Sequence, residues 1–239
     1  MDTCRKYAVE MANYSISALK DSIYTLFDYK SALAEEIRYK EERSDHFEDI
    51  IGNYLVKLSS HQINEDESAE AAKLLHIIGD FERISDHAVN ILESAEELRN
   101  KEIKFSDIAN RELLVLTEAV KEIATLTCST FETDNVNAAF DIEPLEEIID
   151  RLKEKLRANH ILRLQQGDCS IDAGFIWSDL LTNLERTSDH CSNIAGCIIE
   201  TSHHNFNMHE SLRILKSESE DFKKKYAFYS DKYNISNIN

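Results

Sequence analysis

Phe81-Glu82-Arg83-Ile84-Ser85-Asp86-His87-Ala88-Val89-Asn90-Ile91 returns 103 residues later as Leu184-Glu185-Arg186-Thr187-Ser188-Asp189-His190-Cys191-Ser192-Asn193-Ile194, identical at seven of eleven positions. Phe81, Ile84, Ala88 and Ile91 fall at three- and four-residue steps, so the stretch predicts a helix with one buried face. Leu74, Ile77, Ala95 and Leu98 extend the stripe and predict one helix from about Glu67 to Asn100. At about 1.5 Å per residue, a helix of that length belongs in a bundle rather than in a globule of short helices.

The second copy carries the same stripe as Trp177, Leu180, Leu184, Thr187, Cys191, Ile194 and Ile198, predicting a helix from about Ala173 to Ser202. The preceding segments repeat as well. A helix from about Asp2 to Asp28, with Val9, Ile16, Leu19, Ile23, Leu26 and Phe27 on its apolar face, is matched by one from about Asp107 to Phe131. Ala18-Leu19-Lys20-Asp21 aligns there with Ala119-Val120-Lys121-Glu122 at an offset of 101, and Ser106 is placed as the N-cap. A helix from about Ser31 to Leu58 is matched by one from about Asn135 to Gln165. Asn53-Tyr54-Leu55-Val56-Lys57-Leu58 then aligns with Asn159-His160-Ile161-Leu162-Arg163-Leu164 at an offset of 106. Pro144 is expected to kink that helix or to mark its true start, and Gly167 to close it. The polar run Ser59 to Ser68 reads as a connection.

These repeats predict an all-α chain: a tandem pair of antiparallel three-helix bundles over residues 1–104 and 105–205, followed by a C-terminal region, 206–239. In that last region an amphipathic helix is expected from about Met208 to Tyr229, with the final ten residues frayed.

Five glycines and one proline, with 30% charged and 42% apolar residues, agree with helix throughout. The formal charge of −18 excludes a general affinity for nucleic-acid phosphates or anionic lipid and favours cations or a basic surface on a partner. Cys4, Cys128, Cys169, Cys191 and Cys197 are odd in number and lack paired zinc spacing, so buried, reduced thiols are expected. The sequence holds no run of 18 apolar residues and opens on alternating charges rather than a signal peptide. Direct membrane insertion is therefore not expected, and a cytoplasmic setting is.

Glu82 and Asp86 stand four apart beside the apolar stripe, their β-carbons about 6 Å apart. The spacing recurs in Glu185 and Asp189, and on each preceding helix as Glu41 and Asp45 and as Glu146 and Asp150. Antiparallel packing brings two such pairs together across a groove in each half. Converging carboxylates repel and raise one another's pKa unless a cation intervenes, and hard oxygen donors from two helices suit iron, manganese, magnesium or zinc. On spacing alone a metal site and a solvated acidic face both fit. His46, His87 and His190 directly follow an aspartate, about 100° around the helix, which suits helix packing or support of the carboxylates better than ligation. Asn90 and Asn193 continue the acidic ridge, placed to bond a neighbouring helix or a metal-bound water.

Glu-Arg-x-Ser-Asp-His-x-x-Asn-Ile on the last helix of each half, with Glu-x-x-x-Asp on the helix before it, resembles the PhoU family of phosphate-uptake regulators. The segments Asn53 to Leu58 and Asn159 to Leu164 and both Asp-His-x-x-Asn-Ile runs look most like the PhoU-type domain at the cytoplasmic C-terminus of bacterial sodium-phosphate cotransporters. The resemblance spans about residues 5 to 203. It implies two three-helix bundles, multinuclear metal clusters on Glu41, Asp45, Glu82, Asp86, Glu146, Asp150, Glu185 and Asp189, and regulation of phosphate transport without catalysis. Glu42 stands beside Glu41 as an alternative ligand, with Arg38 placed to neutralise it. The implied partner is a phosphate transporter membrane domain at the inner face of the cell membrane, in the same chain or a separate one, and a homodimer is compatible with it. Under the cotransporter reading the chain is an excerpt of a longer protein or a detached homologue. Two other classes stay open: a di-metal carboxylate enzyme, against which stands the absence of Glu-x-x-His from both motifs, and a metal-free helical adaptor.

Overall fold

The structure is a computed structural model and describes residues 1–60, 64–203 and 220–236. Among these residues the chain is helical throughout, without strands. Helix α1 spans Asp2–Thr25, α2 Ser31–Ser59, α3 Glu65–Asn100, α4 Asp107–Thr133, α5 Val136–Ala139, α6 Ile142–Gln166, α7 Ile171–His203 and α8 Glu220–Lys232. No helix among them is long and apolar enough to cross a membrane.

Local chemistry sets the ends. Asn64 accepts from the Glu67 backbone N–H while the Glu67 carboxylate accepts from the Asn64 backbone N–H. This capping box starts α3 at Glu65, inside the run expected to be a connection. Ser106 caps α4 by accepting from the Ala109 N–H at 3.2 Å, as expected, and Ser170 does the same for Ala173 in α7 at 3.1 Å. The single helix expected from Asn135 to Gln165 is broken. A proline ring clashes with the carbonyl four residues back, here that of Phe140, and the chain turns at Phe140 and Asp141 before α6 begins. Pro144 therefore sits unkinked in the first turn, where its missing N–H costs nothing. At the other end Gly167 adopts φ 79° and the N–H of Asp168 reaches back to the Arg163 carbonyl at 2.9 Å.

In the first half α3 packs on α1 and α2, and in the second α7 packs on α4 and α6. An interface as extensive as any within either half, however, joins α3 to α7. Phe81, Ile84, Ala88 and Ile91 and their counterparts Leu184, Cys191 and Ile194 are all fully buried, within one core continuous through both halves. Phe81 meets Phe131 of α4 with ring centroids 5.4 Å apart and planes tilted by 51°, carrying aromatic packing across the halves. At one edge Asp134, the residue after α4, receives Arg5 of α1 at 3.5 Å and Lys73 of α3 at 3.2 Å.

The halves differ at their outer edges. Ser15 and Ser44 share a buried hydrogen bond of 2.8 Å where α1 and α2 pack closely. The corresponding α4–α6 contact is less extensive. It is held by buried Glu112, which accepts from Asn159 at 2.5 Å and from Arg163 at 2.8 Å. Helix α8 lies along α6, burying Tyr229, Tyr233 and Ile235. Lys225 pairs with Asp141 at 2.7 Å, and Lys232 and the Tyr233 hydroxyl both reach Glu122 of α4. The expected helix from Met208 lies outside the described residues as far as 219. Beyond it, α8 continues past Tyr229 to Lys232, and Tyr233 and Ile235 are buried, so 230–236 are packed rather than frayed.

Because one core runs through both halves, the chain is expected to unfold in a single transition. Phe81→Ala should remove about 3–5 kcal/mol from that transition in a denaturant melt, without splitting it into two.

Candidate metal centres

On α3 and α7, the residues bearing the stripe face the core, and positions 82, 86, 185 and 189 look toward α2 or α6. Ser85 and Ser188, buried between stripe and ridge, bond the Glu82 and Glu185 carbonyls at 3.0 and 2.7 Å. Their small side chains leave room for the close helix approach, and their hydroxyls are satisfied within the helix.

In the first half Asp86 of α3 acts on Glu41 of α2 as well as on Glu82 of its own helix, and Asp45 acts on Glu41. Burial, then Asp86 and then Glu48 push the Glu82 carboxyl up to about 7, while nearby Arg83 draws it down. Glu41 is raised by burial, then by Asp86, Asp45 and Glu42. Arg38 is not its counterion: it makes a bidentate pair with Glu96 at 3.0 and 2.7 Å. Glu42 is exposed. Glu48, not anticipated from the spacing, joins the group. Its Oε1 reaches α3, 3.9 Å from where a side chain on Gly79 would begin, and its carboxyl is raised by burial, then by Asp45, Asp49 and Asp86.

In the second half Glu146, Asp150 and Asp189 offer carboxylate oxygens that all lie within 4.8 Å of one another, the one such group among the described residues. Burial, followed by Glu185 and Asp150, pushes Asp189 up to about 6, with His190 and Lys153 pulling the other way. Glu185 borders the trio but is engaged by Lys153 of α6 at 2.6 Å. Each half thus presents carboxylates from two helices whose charges raise one another's pKa.

Two of the three histidines that follow an aspartate, His87 and His190, serve the helix packing. His87 and His190 stack across the α3–α7 interface at 5.5 Å and 25°. His87 Nδ1 bonds the Asn183 side chain at 2.9 Å, and His190 Nδ1 bonds Asp80 at 2.8 Å. Asn90 donates to Asn183 and Asn193 to Asp80, at 3.3 and 3.5 Å. Asp80 and Asn183 occupy equivalent positions, so the two sets are related by the repeat, with a carboxylate on one side and an amide on the other. Burial holds the His87 imidazole below its ordinary range, with the neighbouring His190 and Arg186 adding to the effect. His46 is exposed on α2, away from this interface. Cys4, Cys128 and Cys191 are buried and Cys169 and Cys197 half-buried, all as free thiols.

The raised carboxyls set a pH dependence. A carboxyl whose folded pKa lies above its unfolded value favours folding below the unfolded pKa, and loses that contribution as pH rises through the folded one. For Glu82 the window runs from about 4.5 to about 7. In chelator, Glu82→Gln is expected to gain stability relative to the unsubstituted chain as pH rises from 5 to 8. Parallel thermal melts at each pH check this; a constant difference between the two proteins would refute it.

Comparison with known proteins places this geometry in context. The PhoU domain family matches residues 8–95 and 113–198. Among relatives, the chain is 26% identical over 211 residues to the phosphate-specific transport system accessory protein PhoU homolog 1 of Thermotoga maritima, covering 85% of this chain and 87% of that protein. It is 22% identical over 194 residues to the corresponding PhoU homolog of Clostridium acetobutylicum, covering 80% and 87%. Its fold is similar to the crystal structure of PhoU from Pseudomonas aeruginosa, with a TM-score of 0.80 at 19% identity over 85% of this chain and 97% of that one. The phosphate transport system regulatory protein PhoU from Streptococcus pneumoniae is similar with a TM-score of 0.75 at 17% identity, over 85% and 95%.

Proposed function

Because this chain belongs to the PhoU family, we propose that it is a regulator of phosphate transport rather than an enzyme, acting as a metal-bound helical module docked on the cytoplasmic side of a phosphate transporter. The regulatory part rests on the family and on relatives named as accessory proteins of phosphate-specific transport. The metal part rests on one observation, the approach of Glu146, Asp150 and Asp189 to within 4.8 Å on two different helices. Oxygen-only donor sets of this kind suit hard or borderline divalent and trivalent ions.

In this reading Glu41, Asp45, Glu82 and Asp86, extended by Glu48, hold cations between α2 and α3. Glu146, Asp150 and Asp189, bordered by Glu185, hold them between α6 and α7. Bound cations would supply positive charge that offsets these carboxylates. Nothing in the two motifs favours redox catalysis: the positions that carry a histidine ligand in di-iron bundles hold Ser85 and Ser188, whose hydroxyls are turned to the backbone. The transporter partner we favour is of the sodium-phosphate cotransporter kind, on the sequence resemblance of the Asp-His-x-x-Asn-Ile runs.

Protein purified without chelator should carry metal by elemental mass spectrometry. Replacing Glu82, Asp86, Glu185 and Asp189 together by their amides should strip it while the far-ultraviolet circular dichroism stays helical; unchanged metal content would remove the site assignment. Transport control is tested separately. Cells lacking the chain should take up phosphate abnormally and respond abnormally to phosphate starvation, and unaltered uptake would count against the regulatory role.

A further inference from the structure

Aligned on their carboxylates, the two candidate sites are not copies. Glu41 and Asp45 correspond to Glu146 and Asp150 at an offset of 105, and the same offset carries Glu48 onto Lys153. The residue that adds a fifth carboxylate to the first site is therefore replaced in the second by an ammonium. Lys153 is not a surface charge pointing away. Its side chain is 20% exposed, that of Glu185 is 16% exposed, and the two meet at 2.6 Å. Its field also reaches Asp189. Counting the named groups, the first site gathers five carboxylates, with Arg83 nearby on its own helix. The second gathers four carboxylates and Lys153, with Arg186 in the place of Arg83.

We propose that Lys153 is a built-in cation of the second site, holding Glu185 and standing in for part of the metal charge, so that the second groove takes up metal more weakly than the first. The proposal rests on the reading of both grooves as metal centres. One observation bears on the stand-in role: the trio Glu146, Asp150 and Asp189 converges to within 4.8 Å on the side that has an ammonium to offset its repulsion, and no equally tight trio forms among the described residues on the side that lacks one. An ammonium donates but accepts nothing, so it cannot itself ligate a metal. It repels a divalent ion in the same groove and withholds Glu185 from it. The duplicated chain would thus offer a site that fills first and a site that fills only at higher metal concentration, which a symmetric pair does not provide.

Titration of the metal-stripped full chain with Mn²⁺, followed by calorimetry and by loss of the free-ion paramagnetic resonance signal, should resolve two classes of site. Lys153→Met should tighten the weaker class by about tenfold, the factor expected for removing one positive charge about 5 Å from a divalent ion in water, and leave the stronger class unchanged. Glu48→Lys, which places an ammonium in the first groove, should weaken the stronger class instead, and serves alone if Lys153→Met does not fold. Two classes of equal affinity, or a weaker class indifferent to Lys153→Met with the stronger one indifferent to Glu48→Lys, would overturn the inference while leaving the metal reading intact. An unsubstituted chain that binds no Mn²⁺ would overturn both.

Discussion

The packing of α3 against α7 constrains everything else in this molecule. Each helix must present an apolar stripe to the shared core, and with 100° between successive residues that requirement dictates where every other side chain on it points. Once Phe81, Ile84, Ala88 and Ile91 are buried, Glu82 and Asp86 fall on the flank nearest α2 and His87 on the flank nearest α7. The same logic sends Glu185 and Asp189 toward α6 and His190 toward α3. One interface therefore sorts a single repeated string into core, acidic groove and polar seam. The two grooves end up on helices that touch one another directly, with adjacent residues of one string, Asp86 and His87, lying on the groove and on the seam.

Like charges held at this proximity are a liability that the fold meets unequally on its two sides. In the first half Arg83 draws Glu82 and Glu48 down only in part, and burial raises Glu82, Glu41 and Glu48 together. In the second, Lys153 has been brought in from α6. Like-charge strain of this sort is relieved by protons or by cations, and both relax the same repulsion. Under the proposed metal reading, protons and metal at the first groove would compete for the same carboxylates.

Most of the fold was legible in the sequence because it rests on periodicity and repetition, which are local. The stripes and the caps at Ser106 and Gly167 follow from spacings within one or two helices. What escaped depended on the comparison between repeats or on distant contacts. Glu48 was hidden because its counterpart is Lys153, so looking for acidic residues common to both halves discards it. Asp80 and Asn183 lie just outside the repeated string and differ from one another, yet they anchor the histidine stack. Glu112 looks like an ordinary exposed helix residue until Asn159 and Arg163 arrive from 47 and 51 residues away. The break before α6 was visible as a choice, and the clash between Pro144 and the Phe140 carbonyl decides it.

Asp134 closes α4 with φ 51°, a left-handed conformation in which glycine is the residue under least strain. Glycine would release the backbone but leave Arg5 and Lys73 without the carboxylate they converge on. The helix stop has thus been given a second duty. The residue that ends one repeat's first helix also fastens two helices of the other, and the chain tolerates a disfavoured torsion there in exchange for a rivet between its halves.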